Sequence, residues 1–443
     1  MKIKSQKILW IGFFLLNLLV IFFYWWQGSG DTLFSGVAGF LVAFGRLAGL
    51  LAAFTVLTQF FFMGRTPWLE KIFGLDKLSV IHRKNGKASF YLLLSHPLLI
   101  TLGYAKRSNT DFYSQLKILI FNYPYVIWAA VSFVLFILVI VSSIYIVRKK
   151  LRYESWYFVH LAVYLAIFGS LWHQFALGHD LLISRIFYTY WIILYAFVFG
   201  NHLLFRFSLP IYRFFKHRFF VEKIVRENHN TVSVYITGKK ISQFPVRPGQ
   251  FMIFRFFRKG MWWQAHPFSL SRIPDGKYIR ITVKELGDFT RDVKNIPAGT
   301  RVFVDGPYGV FTDFFCLSPS VLLIAGGIGI TPIRSLAEKL LLQGKKVTLL
   351  YANKTQKDIV FKRELEDLAR KYPLQLTHIL SEEKEYEGEK GYLDKDSIFR
   401  LVPDVREREM YICGPPPMMD ALIAAFKDFG FPKNRLHFEK FSL

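Results

Sequence analysis

Four histidines in the apolar N-terminal part of the chain are the residues best suited to do chemistry: His82, His96, His160 and His173. Ionisable residues inside membrane spans are costly and usually functional, and neutral imidazole is a common axial ligand of haem iron. The alternative for each histidine is a hydrogen bond between neighbouring helices. Two pairs at matched depths on two spans favour ligation of two stacked haems.

The spacing of the histidines bears on this hypothesis. His82 and His96 are 14 residues apart, which covers roughly 21 Å of helix and returns to within about 40° of the starting face. His160 and His173 are 13 residues apart, which leaves their rings roughly 140° apart around an ideal helix. The second spacing therefore predicts an irregularity in that span, of the kind seen at functional sites.

Apolar runs long enough to cross a bilayer as helices dominate the first part of the chain. Six are predicted, at residues 8–26, 40–63, 87–104, 123–147, 155–177 and 183–205. The first is interpreted as a retained span, because its apolar stretch is long and no small-residue cleavage site follows it. The histidines are assigned to the third and fifth segments.

Basic residues orient these spans. Lys and Arg are frequent before the first segment, between the second and third, between the fourth and fifth, and after the sixth. The positive-inside rule then predicts a cytoplasmic N-terminus and a cytoplasmic C-terminal half, in a protein of the plasma (inner) membrane. His82 and His160 would lie near the inner surface, and His96 and His173 in the outer half.

Charge and cysteine content narrow the function further. The formal net charge is +25, but the basic residues lie between apolar segments and form no single stripe, so no nucleic-acid partner is expected. Cys316 and Cys413 are the only cysteines, which excludes a disulfide framework and a CxxC metal site.

The C-terminal half has the pattern of a soluble protein. After Pro210, short alternating strands such as 231–237 and 278–283 indicate a small antiparallel barrel. From about Pro319, strands alternate with helices, as in a doubly wound parallel sheet. The predicted domains are a six-helix membrane bundle (1–212), an antiparallel β-barrel (213–317) and a doubly wound α/β domain (318–443).

A glycine run follows the first strand of the α/β domain: Gly326-Gly327-Ile328-Gly329-Ile330-Thr331-Pro332. Glycines let the backbone approach a pyrophosphate, and the N-terminus of the following helix offers free N–H groups. Proline suits the first turn of that helix. Taken alone, the run is equally compatible with a tight strand–helix turn.

Four further motifs place the glycine run in a family. His266-Pro267-Phe268-Ser269 resembles the flavin-contacting motif of ferredoxin-reductase-like domains, and Gly287-Asp288-Phe289-Thr290 resembles their flavin pyrophosphate turn. Asp305-Gly306-Pro307-Tyr308-Gly309 resembles the strand that closes their barrel, and Cys413-Gly414-Pro415 opens a segment similar to the one beside the nicotinamide. The resemblance implies FAD and NADH or NADPH as cofactors. It assigns their binding to His266, Pro267, Phe268, Ser269, Gly287, Thr290, Gly306, Gly309, Gly326, Gly327, Gly329, Thr331, Pro332, Lys354, Gly414 and Pro415.

The membrane part carries its own resemblance. The string RYESWYFVH, residues 152–160, and both histidine spacings are similar to the NADPH oxidase and ferric reductase family. This implies two b-type haems, the inner one between His82 and His160 and the outer one between His96 and His173. It also places Arg46 near the outer haem, with snorkelling toward the headgroups as the alternative. The oxidases tend to carry a histidine where this chain has Ile100, which argues against a dedicated oxygen pocket.

The resemblance implies electron transfer from cytosolic NAD(P)H through FAD and two haems to an acceptor on the far face. Dioxygen, which would give superoxide, is the first choice, because the overall architecture and the His266-Pro267-Phe268-Ser269 motif resemble the oxidases. Ferric-chelate reduction and relay to a membrane or extracytoplasmic protein are the alternatives. Catalytic roles fall to Arg46, to Cys413 at the hydride-transfer site and to Phe441 over the flavin. NADH is favoured, because residues 351–355 and 361–365 resemble segments of NADH-using cytochrome b5 reductases. NADPH would be tolerated, because Lys354 could pair with a 2′-phosphate and no acidic residue there excludes one. Apart from the lipid bilayer and the small-molecule acceptor, no obligatory partner is expected.

Overall fold

The computed structural model describes residues 2–150 and 153–439. They pack as two units, one made of the chain up to Thr66 with Lys77–Arg206, the other of Pro67–Asp76 with the chain from Phe207 onward. Phe441, expected over the flavin, lies outside the described residues.

The first unit consists of helices, and helices continue along the chain as far as His217. In chain order the helices are α1 (Lys2–Leu33), α2 (Val37–Met63), α3 (Pro67–Phe73), α4 (Leu75–Arg107), α5 (Phe112–Asn122), α6 (Val126–Ser143), α7 (Tyr145–Lys150), α8 (Tyr153–Leu161), α9 (Val163–Leu177), α10 (His179–Ile183), α11 (Arg185–His202) and α12 (Leu209–His217). A π-helical turn, Leu203–Ser208, joins the last two. Helices α3 and α12 belong to the second unit.

Six helical segments of the described residues are long and apolar enough to cross a membrane, as the sequence predicted. They are Ser5–Leu33, Val37–Met63, Leu75–Arg107, Val126–Ser143, Ser155–Leu177 and Arg185–His217. The third begins twelve residues earlier than predicted, so His82 lies well inside a helix rather than at its edge. Hydropathy detects only the apolar part of a helix, whereas the Leu, Lys and Arg residues within 75–86 extend this one through their helix propensity.

The fifth span has the irregularity that its histidine spacing predicted. Helix α8 ends at Leu161 and α9 begins at Val163, so the interruption lies at Ala162, between His160 and His173. The amide of Ala162 bonds to the carbonyl of Val159 at 3.1 Å, a tighter three-residue turn.

The second unit begins with two three-stranded antiparallel sheets, ordered β1-β2-β5 and β4-β3-β6. Their elements are β1 (Phe220–Asn228), β2 (Thr231–Thr237), β3 (Phe251–Phe256), β4 (His266–Ser269), β5 (Ile279–Lys284), α13 (Asp288–Asp292) and β6 (Val302–Tyr308). Alternate side chains of each strand form one core, which includes the fully buried Val234, Phe254 and Ile281.

A parallel sheet with flanking helices completes this unit. Its elements are β7 (Ser320–Gly326), α14 (Ile330–Leu342), β8 (Lys346–Asn353), α15 (Lys362–Lys371), β9 (Leu374–Leu380), β10 (Glu389–Lys390), α16 (Lys395–Leu401), β11 (Glu409–Cys413), α17 (Pro416–Asp428) and β12 (Leu436–Phe438). The strand order is β10-β9-β8-β7-β11-β12. The order reverses between β7 and β11, and ligands of doubly wound sheets bind at the carboxyl ends beside such a reversal.

Candidate functional site

The four histidines meet in the two pairs that the sequence analysis proposed. The ring centroids of His82 and His160 are 6.2 Å apart, and those of His96 and His173 are 6.4 Å apart. A metal ion bonded to one nitrogen of each ring at about 2 Å would hold the centroids about 6 Å apart. Both gaps therefore suit a metal ion between two imidazoles.

Hydrogen bonds to neighbouring groups set the orientation of two of these imidazole rings. The Nδ1 of His96 bonds to the carbonyl of Gly45 at 2.8 Å, and the Nδ1 of His160 to the hydroxyl of Ser143 at 3.3 Å. A partner on Nδ1 sets the tautomer and leaves Nε2 for a metal.

Glycines on α2 make room for His96. A Cβ atom at Gly49 would lie 2.6 Å from the Nδ1 of His96, and one at Gly45 would lie 2.9 Å from Ile100. Such small residues four apart let two membrane helices approach closely. Ile100, where the oxidases tend to carry a histidine, therefore packs against the α2 backbone.

The side chains available as metal ligands also indicate which kind of metal centre could bind here. No group of three or more His, Cys, Asp or Glu side chains within residues 2–150 and 153–439 is arranged to hold a metal ion. Two imidazoles per pair supply only axial ligands, so the remaining ligands would come from a macrocycle such as haem. The residues present fit that group.

Arg46 forms a polar cluster with Ser29 of α1 and with His179 and Asp180 of α10, which follows the fifth span. Its guanidinium contacts the Nδ1 of His179 at 3.0 Å and donates to the hydroxyl of Ser29 at 3.3 Å. Ser29 in turn donates to the buried carboxylate of Asp180 at 2.7 Å, whose pKa is raised by burial. Arg46 therefore has specific partners, which argues against simple snorkelling.

The predicted flavin motifs come together at the barrel. Pro267, Phe268 and Ser269 form β4 with His266, and the His266 ring stacks on Phe289 at 3.7 Å. The Thr290 hydroxyl accepts from the amides of Leu286 and Gly287 at 2.9 Å each. Thr290 thus shapes the turn that begins α13 and is already engaged by that turn.

The glycine run lies against the Cys413 segment at the carboxyl ends of β7 and β11. A Cβ atom at Gly329 would lie 2.3 Å from the carbonyl oxygen of Cys413, and one at Gly326 would lie 2.7 Å from Pro415. Gly414 is equally confined, whereas Gly327, with φ +51°, has open space beside it. The glycines therefore let two loops cross closely and leave an open side at Gly327. Thr331 and Pro332 follow in the first turn of α14.

Cys413 itself is fully buried at the end of β11. Burial, reinforced by the nearby Glu439 carboxylate, raises the pKa of its thiol well above the usual range. The thiol is therefore neutral at physiological pH, which suits a packing or positioning role near the nicotinamide and not nucleophilic attack.

A carboxylate from α3 joins the end of the barrel. The Oε1 of Glu70 accepts from the amide of Gly309 at 2.7 Å, and Gly306, in the same strand end, accepts from Arg213. Burial raises the pKa of Glu70 to about 7, with Asp76 adding to the effect and the Gly309 amide opposing it. Glu70 thus links the chain between the second and third spans to a predicted flavin motif.

Buried ion pairs join the barrel to the parallel sheet. The Arg280 guanidinium, 1% exposed, bonds to both carboxylate oxygens of Glu364 at 2.6 and 3.0 Å. Arg334 reaches the same carboxylate at 2.9 Å, and the Gly249 amide donates to Ser335 at 3.0 Å. This network fixes the flavin motifs relative to the nicotinamide motifs.

One expectation about the coenzyme site is wrong. The ammonium of Lys354 bonds to the carboxylate of Glu382 at 2.7 Å, so an acidic residue does stand beside it. Glu382 follows the adjacent strand β9, 28 residues away along the chain. Parallel strand pairing brings the two together, and local sequence around Lys354 does not reveal it.

Comparison with known families gives the same division of the chain. Residues 48–171 match the ferric reductase like transmembrane component, residues 218–312 an FAD-binding domain, and residues 323–423 an oxidoreductase NAD-binding domain. The chain has the domain combination of the ferric reductase and NADPH oxidase superfamily. Together with the six apolar helical segments, these matches support an integral membrane protein of the oxidoreductase class that carries FAD- and NAD-binding domains.

Relatives of the soluble part include two reductases. The ferredoxin reductase component of 3-ketosteroid-9-alpha-monooxygenase from Rhodococcus rhodochrous is 33% identical over 50% of this chain and 64% of its own length. NADH-cytochrome b5 reductase 2 from Candida glabrata is 27% identical over 49% of this chain and 81% of its own. The flavohemoglobin structure from Malassezia yamatoensis, with bound FAD and heme, aligns with a TM-score of 0.48 at 16% identity, covering 93% of this chain and 98% of its own.

Proposed function

We propose that the protein carries electrons from NAD(P)H across the plasma membrane, through FAD and two b-type haems, to dioxygen, which becomes superoxide. Per NAD(P)H, two dioxygen molecules each gain one electron and one proton is released. The observation that most supports this proposal is the pairing of the four histidines, with ring centroids 6.2 and 6.4 Å apart. Two matched pairs are hard to explain as four unrelated helix–helix hydrogen bonds.

The side chains and backbone divide the work as follows. The open face at Gly327 and the first turn of α14 bind the coenzyme pyrophosphate, while His266 and Phe268 border the flavin ring. When bound, FAD converts a hydride into single electrons and the haems relay them. His82 with His160, and His96 with His173, would each hold one haem, and two protein ligands on each haem would leave the acceptor to receive its electron without binding the iron. Arg46, held by Ser29 and His179, attracts the anionic product.

The charge distribution supports the orientation. Basic residues frequent the chain before the first span, around the start of the third and after the sixth, which favours a cytoplasmic N-terminus and dehydrogenase part. On this orientation the acceptor is reduced on the extracytoplasmic side. No obligatory protein partner is proposed.

A second candidate is reduction of a chelated ferric ion at the same outer site. It is favoured by the family description of residues 48–171, ferric reductase like transmembrane component, and by Ile100, which packs against Gly45 where the oxidases tend to have a histidine. Electron relay to a membrane or extracytoplasmic protein is the remaining alternative.

The test uses the purified holoprotein with NADH and cytochrome c, with and without superoxide dismutase. Superoxide formation predicts that the dismutase abolishes most cytochrome c reduction. Insensitivity to the dismutase contradicts the dioxygen proposal. Faster turnover with ferric citrate than with dioxygen would support the ferric reductase, and negligible turnover with both would support the relay.

A further inference from the structure

The segments that follow β8 and β9 are joined beyond the ends of the two strands. The amide of Ser381 bonds to the carbonyl of Asn353 at 3.0 Å, and that of Glu382 to the carbonyl of Lys354 at 2.9 Å. The Lys354 ammonium and Glu382 carboxylate are 2.7 Å apart. Backbone pairing therefore holds Glu382 beside Lys354 whatever the exposed side chains do.

This position lies next to the coenzyme site on the proposed function. Strand β8 is the parallel neighbour of β7, whose carboxyl end carries the glycine run. In doubly wound nucleotide-binding domains, residues beyond the neighbouring strand contact the ribose that carries the 2′-hydroxyl or 2′-phosphate. Lys354, the first residue after β8, is therefore placed to meet the group that distinguishes NADH from NADPH.

The charges around Lys354 disfavour a phosphate. Glu382 neutralises the ammonium, and a second carboxylate, Glu383, accepts from the amide of Gln356 at 2.6 Å. Asp358 also acts electrostatically on Lys354. A 2′-phosphate would have to displace Glu382 and then lie beside two or three carboxylates, whereas a 2′-hydroxyl can donate to one of them.

The Lys354–Glu382 ion pair is too exposed to be important for folding, so a role of Glu382 in coenzyme binding can be tested without unfolding the protein. The side chains of Lys354 and Glu382 are 69% and 49% exposed, and exposed ion pairs contribute little to folding. Removing either charge should therefore leave the fold intact.

We propose that Glu382 makes the enzyme select NADH over NADPH, by occupying Lys354 and adding negative charge where a 2′-phosphate would lie. This inference rests on the proposed function only for the use of a nicotinamide coenzyme. It is independent of the haems and of the final acceptor.

The test compares Glu382→Gln with Glu385→Gln, which removes the same charge from an exposed residue of the same segment. Diaphorase activity of the holoprotein with ferricyanide gives kcat/KM for NADH and NADPH, and calorimetry gives the affinities for 2′-AMP and 5′-AMP. Wild type is expected to prefer NADH by about tenfold or more. Glu382→Gln should raise kcat/KM for NADPH and affinity for 2′-AMP by about fivefold, with NADH and 5′-AMP nearly unchanged.

Two results would overturn the proposal: a wild type that prefers NADPH or binds 2′-AMP more tightly than 5′-AMP, or a Glu382→Gln effect no larger than that of Glu385→Gln. In the Glu382→Gln background, Lys354→Met should remove the gain for NADPH. Nucleotide binding needs neither haem nor dioxygen, so a failure of the superoxide proposal would be seen separately, in the dismutase assay.

Discussion

Gly49 and Gly329 show how single residues set the geometry of both halves. Each lies where a Cβ atom would come within 2.6 Å of a neighbouring atom, on His96 in the first case and on the Cys413 carbonyl in the second. A side chain at either position must displace its neighbour. At this scale the sequence identified the histidines and the glycine run, but not Gly45 and Gly49, although their four-residue spacing is a recognised signal for close helix approach.

Gly49→Leu should therefore disturb the outer histidine pair selectively. The leucine side chain would push the His96 ring away from His173, so we expect the haem content per chain to fall by about half while the inner pair persists. A pyridine haemochrome assay measures this. Gly200→Leu is the control, because nothing lies within 4 Å of a Cβ atom at that position. An unchanged haem content in Gly49→Leu would contradict the assignment.

Both cysteines should be unreactive in the folded protein. Burial raises the pKa of Cys316 to about 11 and that of Cys413 well above its usual range, so both thiols stay protonated as the pH rises to 9. Mass spectrometry after iodoacetamide treatment at pH 8.5 should find neither labelled until the protein is unfolded. The rate of flavin reduction by NADH should show no ionisation between pH 7 and 9 that Cys413→Ser removes. Rapid labelling of native Cys413 would contradict its burial.

Secondary-structure elements were largely predictable, whereas the contacts between them were not. Strand and helix patterns and the break at Ala162 follow from local periodicity and histidine spacing. Three polar contacts join residues far apart in sequence: Glu70 with Gly309, Arg280 with Glu364, and Lys354 with Glu382. Each charged side chain among them looks like an ordinary surface charge in the sequence, and only the packing of α3, α15 and β9 reveals its partner.

The contact of α3 with the barrel should depend on pH. The pKa of Glu70 in the folded protein is about 7, above its value of 4.5 elsewhere, so its stabilising contribution is complete below about pH 4.5 and is lost as the pH rises through 7. The temperature at which FAD is released should therefore fall by several degrees between pH 5.5 and 8. Asp76, Lys71 and the buried Glu439 are its charged neighbours.

Glu70→Gln keeps an acceptor for the Gly309 amide but cannot ionise, so it should flatten this pH dependence. Glu387→Gln, at an exposed position, is the control and should retain the wild-type slope. If Glu70→Gln also retained the full slope, the pH dependence would have to come from another group.

Breaking the Arg280–Glu364 pair should loosen the barrel from the parallel sheet. Arg280→Met leaves Glu364 with Arg334 alone, while Glu364→Gln removes the carboxylate that pairs with the buried Arg280 and leaves Arg334 with Glu338. Removing one partner of a buried pair typically costs about 3–5 kcal/mol, so Glu364→Gln should be the more damaging. Scanning calorimetry should show a clearly lower midpoint and NADH reduction of FAD should slow. Unchanged values for both variants would mean that the network does not hold the domains.

At the scale of the whole molecule, one chain combines FAD- and NAD-binding domains with a membrane bundle. Six apolar helices and three family matches support that architecture. It could be predicted from the sequence, because hydropathy and ordered motifs are local signals. The route through the membrane rests on the two histidine pairs. His202 provides the contrast, since its ring bonds to the Phe60 carbonyl at 3.1 Å and to the Tyr164 hydroxyl at 2.9 Å, as a helix–helix contact does.

A reduced-minus-oxidised absorption spectrum with haem counting, on the purified chain and its histidine variants, tests the two histidine pairs directly. We expect two low-spin, bis-imidazole haems per chain, loss of one in His173→Leu or His160→Leu, and retention of both in His202→Leu. A wild-type chain that binds no haem, or a His173→Leu chain that still binds two with unchanged spectra, would contradict the proposed electron path.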